Sequence, residues 1–204
     1  MAIACPVNFD TRRLQTEIRS IYARVADDPA GAFHFHRGPD YAAGRLGYNL
    51  AELSQLPAAV TAAFAGVGNP HLIGPLPEGA AVVDVGSGGG MDLLLAARRV
   101  GASGRAIGVD MTERMRNLAR EGASACGASH VEVREGDATA LPVETGTVDA
   151  VISNGVLNLV AEKAAAVAEM RRVLKPGGRV QIADIILGEQ LSEDLRGDID
   201  LWTG

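Results

Sequence analysis

Few folds accommodate the stretch Ala81 to Asp92. It reads Ala-Val-Val-Asp-Val-Gly-Ser-Gly-Gly-Gly-Met-Asp: a short β-branched run, a Gly-x-Gly-x-Gly turn, then the start of a helical pattern. A strand that passes straight into a helix through glycines can turn tightly. Its backbone can also approach a ligand where any Cβ would collide, and the free N–H groups at the helix start attract a negative or polar group. Downstream, β-branched runs alternate with helical spacing. The strands expected are Ala81–Val85, Arg105–Val109, Val131–Arg134, Val148–Ser153 and Arg179–Ile186, and the helices are Asp92–Val100, Glu113–Ala125 and Lys163–Leu174. Strand–helix alternation implies right-handed crossovers, so the fold class is α/β with about five parallel strands.

Three prolines in the ten residues from Asn69 to Glu78 interrupt any helix and mark an entry linker. Before it, Thr11 to Val25 carries helical spacing through Leu14, Ile18, Ile21 and Val25. Leu50 to Ala65 forms a second helical stretch broken at Pro57. Residues 1–74 are therefore expected to be a helical cap and linker, and residues 75–204 a nucleotide-binding domain. A chain of 204 residues, 47% apolar, has room for one α/β domain with such an extension. No apolar run reaches the roughly 18 residues that cross a bilayer, and the start lacks a signal-peptide pattern, which points to the cytoplasm. A net charge of -6 with scattered basic residues offers no face that tracks phosphates, so nucleic acid is not an expected partner. Cys5 and Cys126 are too few for a disulfide framework and read as buried structural thiols.

In an open parallel sheet, ligands sit outside the carboxyl ends of the strands. The first strand delivers Asp84 and the turn Gly86, Ser87, Gly88 and Gly90 there. Asp84 would hold the turn by hydrogen bonding or reach a ligand through water. Asp110 follows the second strand, twenty residues beyond Gly90, where a carboxylate can accept from both hydroxyls of a ribose. After the third strand, Gly136-Asp137-Ala138 sets an acid and a small residue where an adenine amino group could donate. Ser153-Asn154-Gly155 follows the fourth. Leu174-Lys175-Pro176-Gly177-Gly178 is a helix stop and tight turn.

Together these segments resemble the class I S-adenosylmethionine-dependent methyltransferases over about Ala80 to Ile186. A dinucleotide fingerprint would want glycine at position 91, where this chain has Met91. The resemblance implies a Rossmann-like sheet and S-adenosylmethionine as cofactor. It places Gly86, Gly88 and Gly90 at the methionine portion, Asp110 and Met111 at ribose and adenine, and Asp137 with Ala138 at adenine, with Ser87 and Asn154 lining the same pocket. Gly108-Val-Asp-Met-Thr-Glu, Val151-Ile-Ser-Asn-Gly-Val-Leu-Asn-Leu159 and Asp200-Leu-Trp-Thr-Gly are similar to arsenite methyltransferases. That family has cysteines where this chain has Val67 and Gly155, and a further one after the Leu-Trp segment. Trivalent arsenic requires sulfur ligands, so no arsenic site carries over.

The function expected is methyl transfer to a small-molecule acceptor. The alternatives are a non-catalytic module of methyltransferase type and, less favoured, arsenite methylation. No catalytic residue is assigned, because a methyl sulfonium needs mainly alignment and exclusion of water. His34 and His36 would point to one side if Phe33-His34-Phe35-His36 were extended, as a chelating pair or a base, but only His71 or His130 could supply a third ligand and no metal site is expected. Tyr22 and Tyr41 are further candidates to line the pocket. A methyltransferase sheet of this class has seven strands and the pattern supplies five, which leaves Arg179–Ile186 as an apolar edge. A truncated chain, a recoded stop in a longer parent, or completion by a homodimer or partner chain would each account for it.

Overall fold

A computed structural model describes residues 10–186 and Gly188. Its centre is a five-stranded, fully parallel sheet of order β3-β2-β1-β4-β5. The strands are β1 (Ala81–Val85), β2 (Arg105–Asp110), β3 (Val131–Glu135), β4 (Val148–Asn154) and β5 (Leu174–Ala183). The order reverses beside β1, so the tips of β1, β2 and β4 open onto one crevice. Alternation in the strands sorts the core into two layers. Val83, Val85, Ile107, Val109 and Val151 pack with Met170 and Val173 of helix α7 (Lys163–Val173). Val82, Ala150 and Ile152 pack with Ala96 and Val100 of α5 (Met91–Val100). Asp84 shares the side of Val82, and its carboxylate accepts a hydrogen bond from the backbone N–H of Leu93 in α5.

The amino-terminal segment is helical, with one more element than the spacing predicts. Helix α1 (Thr11–Asp27) buries Leu14, Ile18 and Val25 and is capped by Asp10, whose carboxylate accepts from Arg13 N–H at 2.9 Å. The unforeseen α2 (Gly38–Leu46) is nine residues long and closes on Gly47 at φ +76°. As Pro57 dictates, the next stretch is two short helices, α3 (Leu50–Leu53) and α4 (Ala58–Ala62). The linker holds a single helical turn at Pro70–Leu72. Helix α6 (Glu113–Ala125) lies between this segment and the sheet, contacting α1, α4, β2 and β3.

Two boundaries and one burial expectation need correcting. The Leu174–Gly178 turn lies inside β5: Val148 pairs with Leu174 and Ala150 with Arg179, so residues 175–178 bulge out of the ladder around Gly177 at φ +81°. The strand ends at Ala183 rather than Ile186, because Asp184 accepts from the backbone N–H groups of Leu157 (2.7 Å) and Asn158 (3.1 Å). Cys126 is exposed, since it occupies the outward C-cap of α6, and is not a buried structural thiol. Cys5 lies outside the described residues, as do Asp200 to Gly204. Among the described residues no helix is long and apolar enough to cross a membrane.

Candidate functional site

A cavity of about 200 Å³ lies over the tips of β1, β2 and β4. The sequence-predicted residues Asp84, Gly86, Ser87, Gly88, Asp110, Met111, Asp137, Ala138 and Asn154 all line it. Gly90 does not. It begins α5 at φ +94°, and a Cβ there would meet the Cβ of Ala119 at 3.0 Å, so its glycine serves the close packing of α5 against α6.

The floor is a chain of hydrogen bonds between strand tips. Gly86 turns at φ +71°, and a Cβ there would sit 2.3 Å from Cγ2 of Val156. Gly88, at φ +51°, faces open space and donates its N–H to Oδ2 of Asp110 at 2.9 Å. Oδ1 of Asp110 accepts from Thr112 N–H at 2.7 Å. The strand-tip acid thus ties β2 to the glycine loop, with one lone pair on each oxygen left for a further donor. Burial pushes its carboxyl up, and the Gly88 and Thr112 amides together with the nearby Arg116 guanidinium oppose that shift. Asp137 accepts from Thr139 through Oδ1 (2.8 Å from N–H, 2.7 Å from Oγ1) and from Gln15 Nε2 through Oδ2 at 3.0 Å. Two buried floor atoms have no partner among the described residues, Oδ2 of Asp84 and Oγ of Ser87. The Ser87 hydroxyl lies toward Gly108 of β2, where an added Cβ would be 2.8 Å away.

Asn154 reaches the cavity, but its amide is spent on a clasp. Its Oδ1 accepts from the N–H groups of Val67 (2.8 Å) and Gly68 (3.2 Å). Its Nδ2 faces Gly68 O, Asp92 Oδ2 and Tyr48 Oη at 2.8, 3.0 and 3.1 Å. Tyr48 Oη donates to Asp92 Oδ1 at 2.7 Å, and His71 Nε2 lies 3.1 Å from the same oxygen. Three separate segments, those of Tyr48, His71 and Asn154, therefore converge on the buried Asp92 carboxylate, which also lines the cavity. Burial and the Asp92 charge push the Tyr48 phenol well up, so it remains a donor. Sequence reasoning missed this group: an acid in the first turn of a helix reads as a partner for the helix dipole, and Tyr48 and His71 are distant in the chain.

The roof is α1. Thr11, Leu14, Gln15, Ile18 and Tyr22 line the cavity from above, and Leu14, Ile18 and Tyr22 pack on Met111, Leu159 and Ala161. Burial, then the Asp110 and Asp184 charges, push the Tyr22 phenol up to about 12. Tyr22 thus belongs to the pocket, whereas Tyr41 stacks on His36 at 5.0 Å in a separate shallow depression. The chain bends at His34 and Phe35, so the two histidines do not share the side of an extended strand. His34 meets the Phe35 ring edge-on at 4.9 Å, and neither histidine lines the central cavity.

Comparison with known proteins places this architecture. Residues 76–202 match a family described as "Methyltransferase domain". The chain is 41% identical over 160 residues to the arsenite methyltransferase of Halobacterium salinarum, an alignment covering 78% of this chain and 41% of that protein. It is 37% identical over 158 residues to the arsenite methyltransferase of Aquipseudomonas alcaligenes, covering 74% and 45%. Among solved structures, an arsenic (III) S-adenosylmethionine methyltransferase from Chlamydomonas reinhardtii superposes with TM-score 0.67 at 35% identity, covering 74% of this chain and 53% of that one. The chain spans less than half the length of the two curated relatives.

Proposed function

The chain belongs to the class I S-adenosylmethionine-dependent methyltransferases, close to the arsenite methyltransferases, and from that premise we propose that it transfers a methyl group from S-adenosylmethionine to a small-molecule acceptor held beneath α1. The observation that carries this reading is the bond between Gly88 N–H and Asp110 over the cavity, with Gly86 and Gly88 both at positive φ. That arrangement sets a bare glycine backbone and a strand-tip carboxylate against one ligand.

The residues present fit the cofactor. Asp110 keeps acceptor capacity for a ribose diol, Asp137 and Ala138 stand at the β3 end for an adenine, and the unpartnered Oδ2 of Asp84 stands on the floor beside the glycine loop. When bound, S-adenosylmethionine supplies an electrophilic methyl group on a sulfonium centre. The protein then has to align acceptor and donor and keep water out. Gly86, pressed by Val156, fixes the loop. The apolar stripe of α1 over Met111 and Leu159 excludes water, and the Asn154–Asp92 clasp holds the Val67–Gly68 loop to the tip of β4. We read residues 1–74 as the cap that defines the acceptor and residues 75–204 as the cofactor domain.

Arsenite is disfavoured as acceptor because no cysteine among the described residues lines the cavity. Val67 and Gly155 are neighbours, a Cβ built at Gly155 falling 3.4 Å from Val67 Cγ1, so the two positions that would carry thiols in arsenite methyltransferases offer a methyl group and bare backbone. Incubation with labelled S-adenosylmethionine and a panel of thiol, hydroxyl and amine metabolites, arsenite included, tests the reading. Transfer to an organic acceptor and none to arsenite is expected. Cofactor binding without transfer to any acceptor would instead indicate a non-catalytic module.

A further inference from the structure

Among the described residues four aspartates and one glutamate line the cavity, Asp84, Asp92, Asp110, Asp137 and Glu162, and no lysine, arginine or histidine does. The nearby cations are turned elsewhere. Arg116 bonds the Asp110 carbonyl at 3.2 Å and the Glu135 carboxylate at 2.9 Å, with its side chain 7% exposed. His71 touches only the Asp92 carboxylate of this set and does not line the cavity. Donors satisfy three of the acids: Tyr48, Asn154 and His71 on Asp92, Gly88 and Thr112 on Asp110, and Thr139 and Gln15 on Asp137.

Asp84 differs from them. It is 2% exposed, Leu93 N–H donates to its carboxylate, and its Oδ2 has no partner among the described residues. An unpartnered buried carboxylate oxygen is costly, and in a low-dielectric cavity several acids of one sign add their fields.

We propose that the cavity selects by charge: its floor holds a positive centre against Asp84 and Asp92, admits neutral or cationic methyl acceptors, and turns away anionic ones. The inference rests on the methyl-transfer reading and names the substrate class of that same site. It also distinguishes donor from spent product. In the transfer, a bond forms between the acceptor atom and the methyl carbon, the carbon–sulfur bond breaks, and its electron pair stays on sulfur. The sulfonium thereby becomes a neutral thioether, its positive charge passes to the methylated acceptor, which sheds it as a proton to solvent, and the floor loses the sulfonium charge it held. Burial first, then the charges of Asp92 and Asp110, push the Asp84 carboxyl well up, so a cation arriving on the floor draws it toward ionisation and releases a proton.

Calorimetric titration of the full chain with S-adenosylmethionine and, separately, S-adenosylhomocysteine tests this near neutral pH in two buffers of different ionisation enthalpy. The sulfonium is expected to bind at least about tenfold more tightly than the thioether and to release more proton, a preference that Asp84→Asn shrinks to within about threefold. Because the charges are buried, the preference should survive added salt. A preference that salt abolishes overturns the proposal without needing a variant. Thioether binding as tight as sulfonium binding also overturns it, whereas binding of neither ligand is the distinct failure of the cofactor reading. Transfer to cysteamine, 2-mercaptoethanol and 3-mercaptopropionate, thiols that differ in their end group, should fall at least about tenfold in kcat/KM for the carboxylate. Equal rates for all three overturn the acceptor half.

Discussion

The floor and the roof of the cavity are built by opposite means. The floor around the glycine loop is short-range and polar: Gly88, Asp110 and Thr112 make their contacts within one strand–turn–helix unit and its neighbour, through hydrogen bonds near 2.8 Å. The roof is one helix lying across the sheet, held by an apolar stripe and by the Gln15–Asp137 hydrogen bond. A hydrogen-bonded turn has one geometry, so the floor suits a fixed ligand. An apolar helix face tolerates substitution and sliding, so the roof is where acceptors of different shape can be accommodated on an unchanged cofactor site.

The largest expected effect lies in the floor. Gly86→Ala forces a side chain into positive φ and 2.3 Å from Val156, which should cost about 3–5 kcal/mol and remove cofactor binding. Gly88→Ala has open space around its Cβ and should cost only about 1–2 kcal/mol of backbone strain, while its methyl intrudes where the ligand lies. Chemical denaturation and titration of both variants read the contrast. Equal stability losses would mean that Val156 yields and the floor is softer than its geometry implies.

The next effect belongs to the roof. Leu14 is 1% exposed at the centre of the α1 stripe, and Leu14→Ala should cost about 2–3 kcal/mol. The loss should fall on α1 first, since α1 reaches the rest of the chain chiefly through α6 and the cavity rim. Hydrogen exchange is expected to rise across residues 11–27 while β1, β2 and β4 keep their protection. Uniform loss of protection would show that roof and floor unfold as one unit.

How far each region is legible in the sequence follows the same division. The run Ala81–Asp92 and the acid at Asp110 encode their own conformation, because glycine, β-branching and helical spacing act within a few residues. Asp92, by contrast, draws its meaning from Tyr48, 44 residues away, and from Asn154, 62 residues away. No local pattern marks such a clasp, and Asn154 is legible as a cavity residue but not as the loop's anchor. Helix α2 was missed for a related reason: Gly38, Pro39 and Gly44 depress its local propensity, and the contacts of α2 with α3 and α4 support it instead. At β5 the Pro-Gly-Gly turn is legible, but only pairing with β4 shows that the strand resumes on both sides of it.

The smallest effect has the opposite sign and separates floor from roof by pH. Asp84 has a carboxyl raised in the folded state, by burial first and then by the charges of Asp92 and Asp110. A raised carboxyl means that the folded protein binds the proton more tightly than the unfolded chain. The associated stability is full below the unfolded value of about 4 and is lost as pH rises through the folded value. Asp84→Asn keeps an oxygen that can accept from Leu93 N–H and removes the ionisable group. The ligand-free variant should therefore melt higher than the parent on the alkaline side, by about 2–4 °C for each kcal/mol regained, and the gain should vanish toward acid. Tyr22, raised to about 12, contributes no slope in this window, so a roof variant such as Tyr22→Phe should shift melting by the same amount at acid and neutral pH. A pH-independent gain in Asp84→Asn would mean that the acid stays protonated throughout. The floor would then be neutral at that position before any ligand arrives.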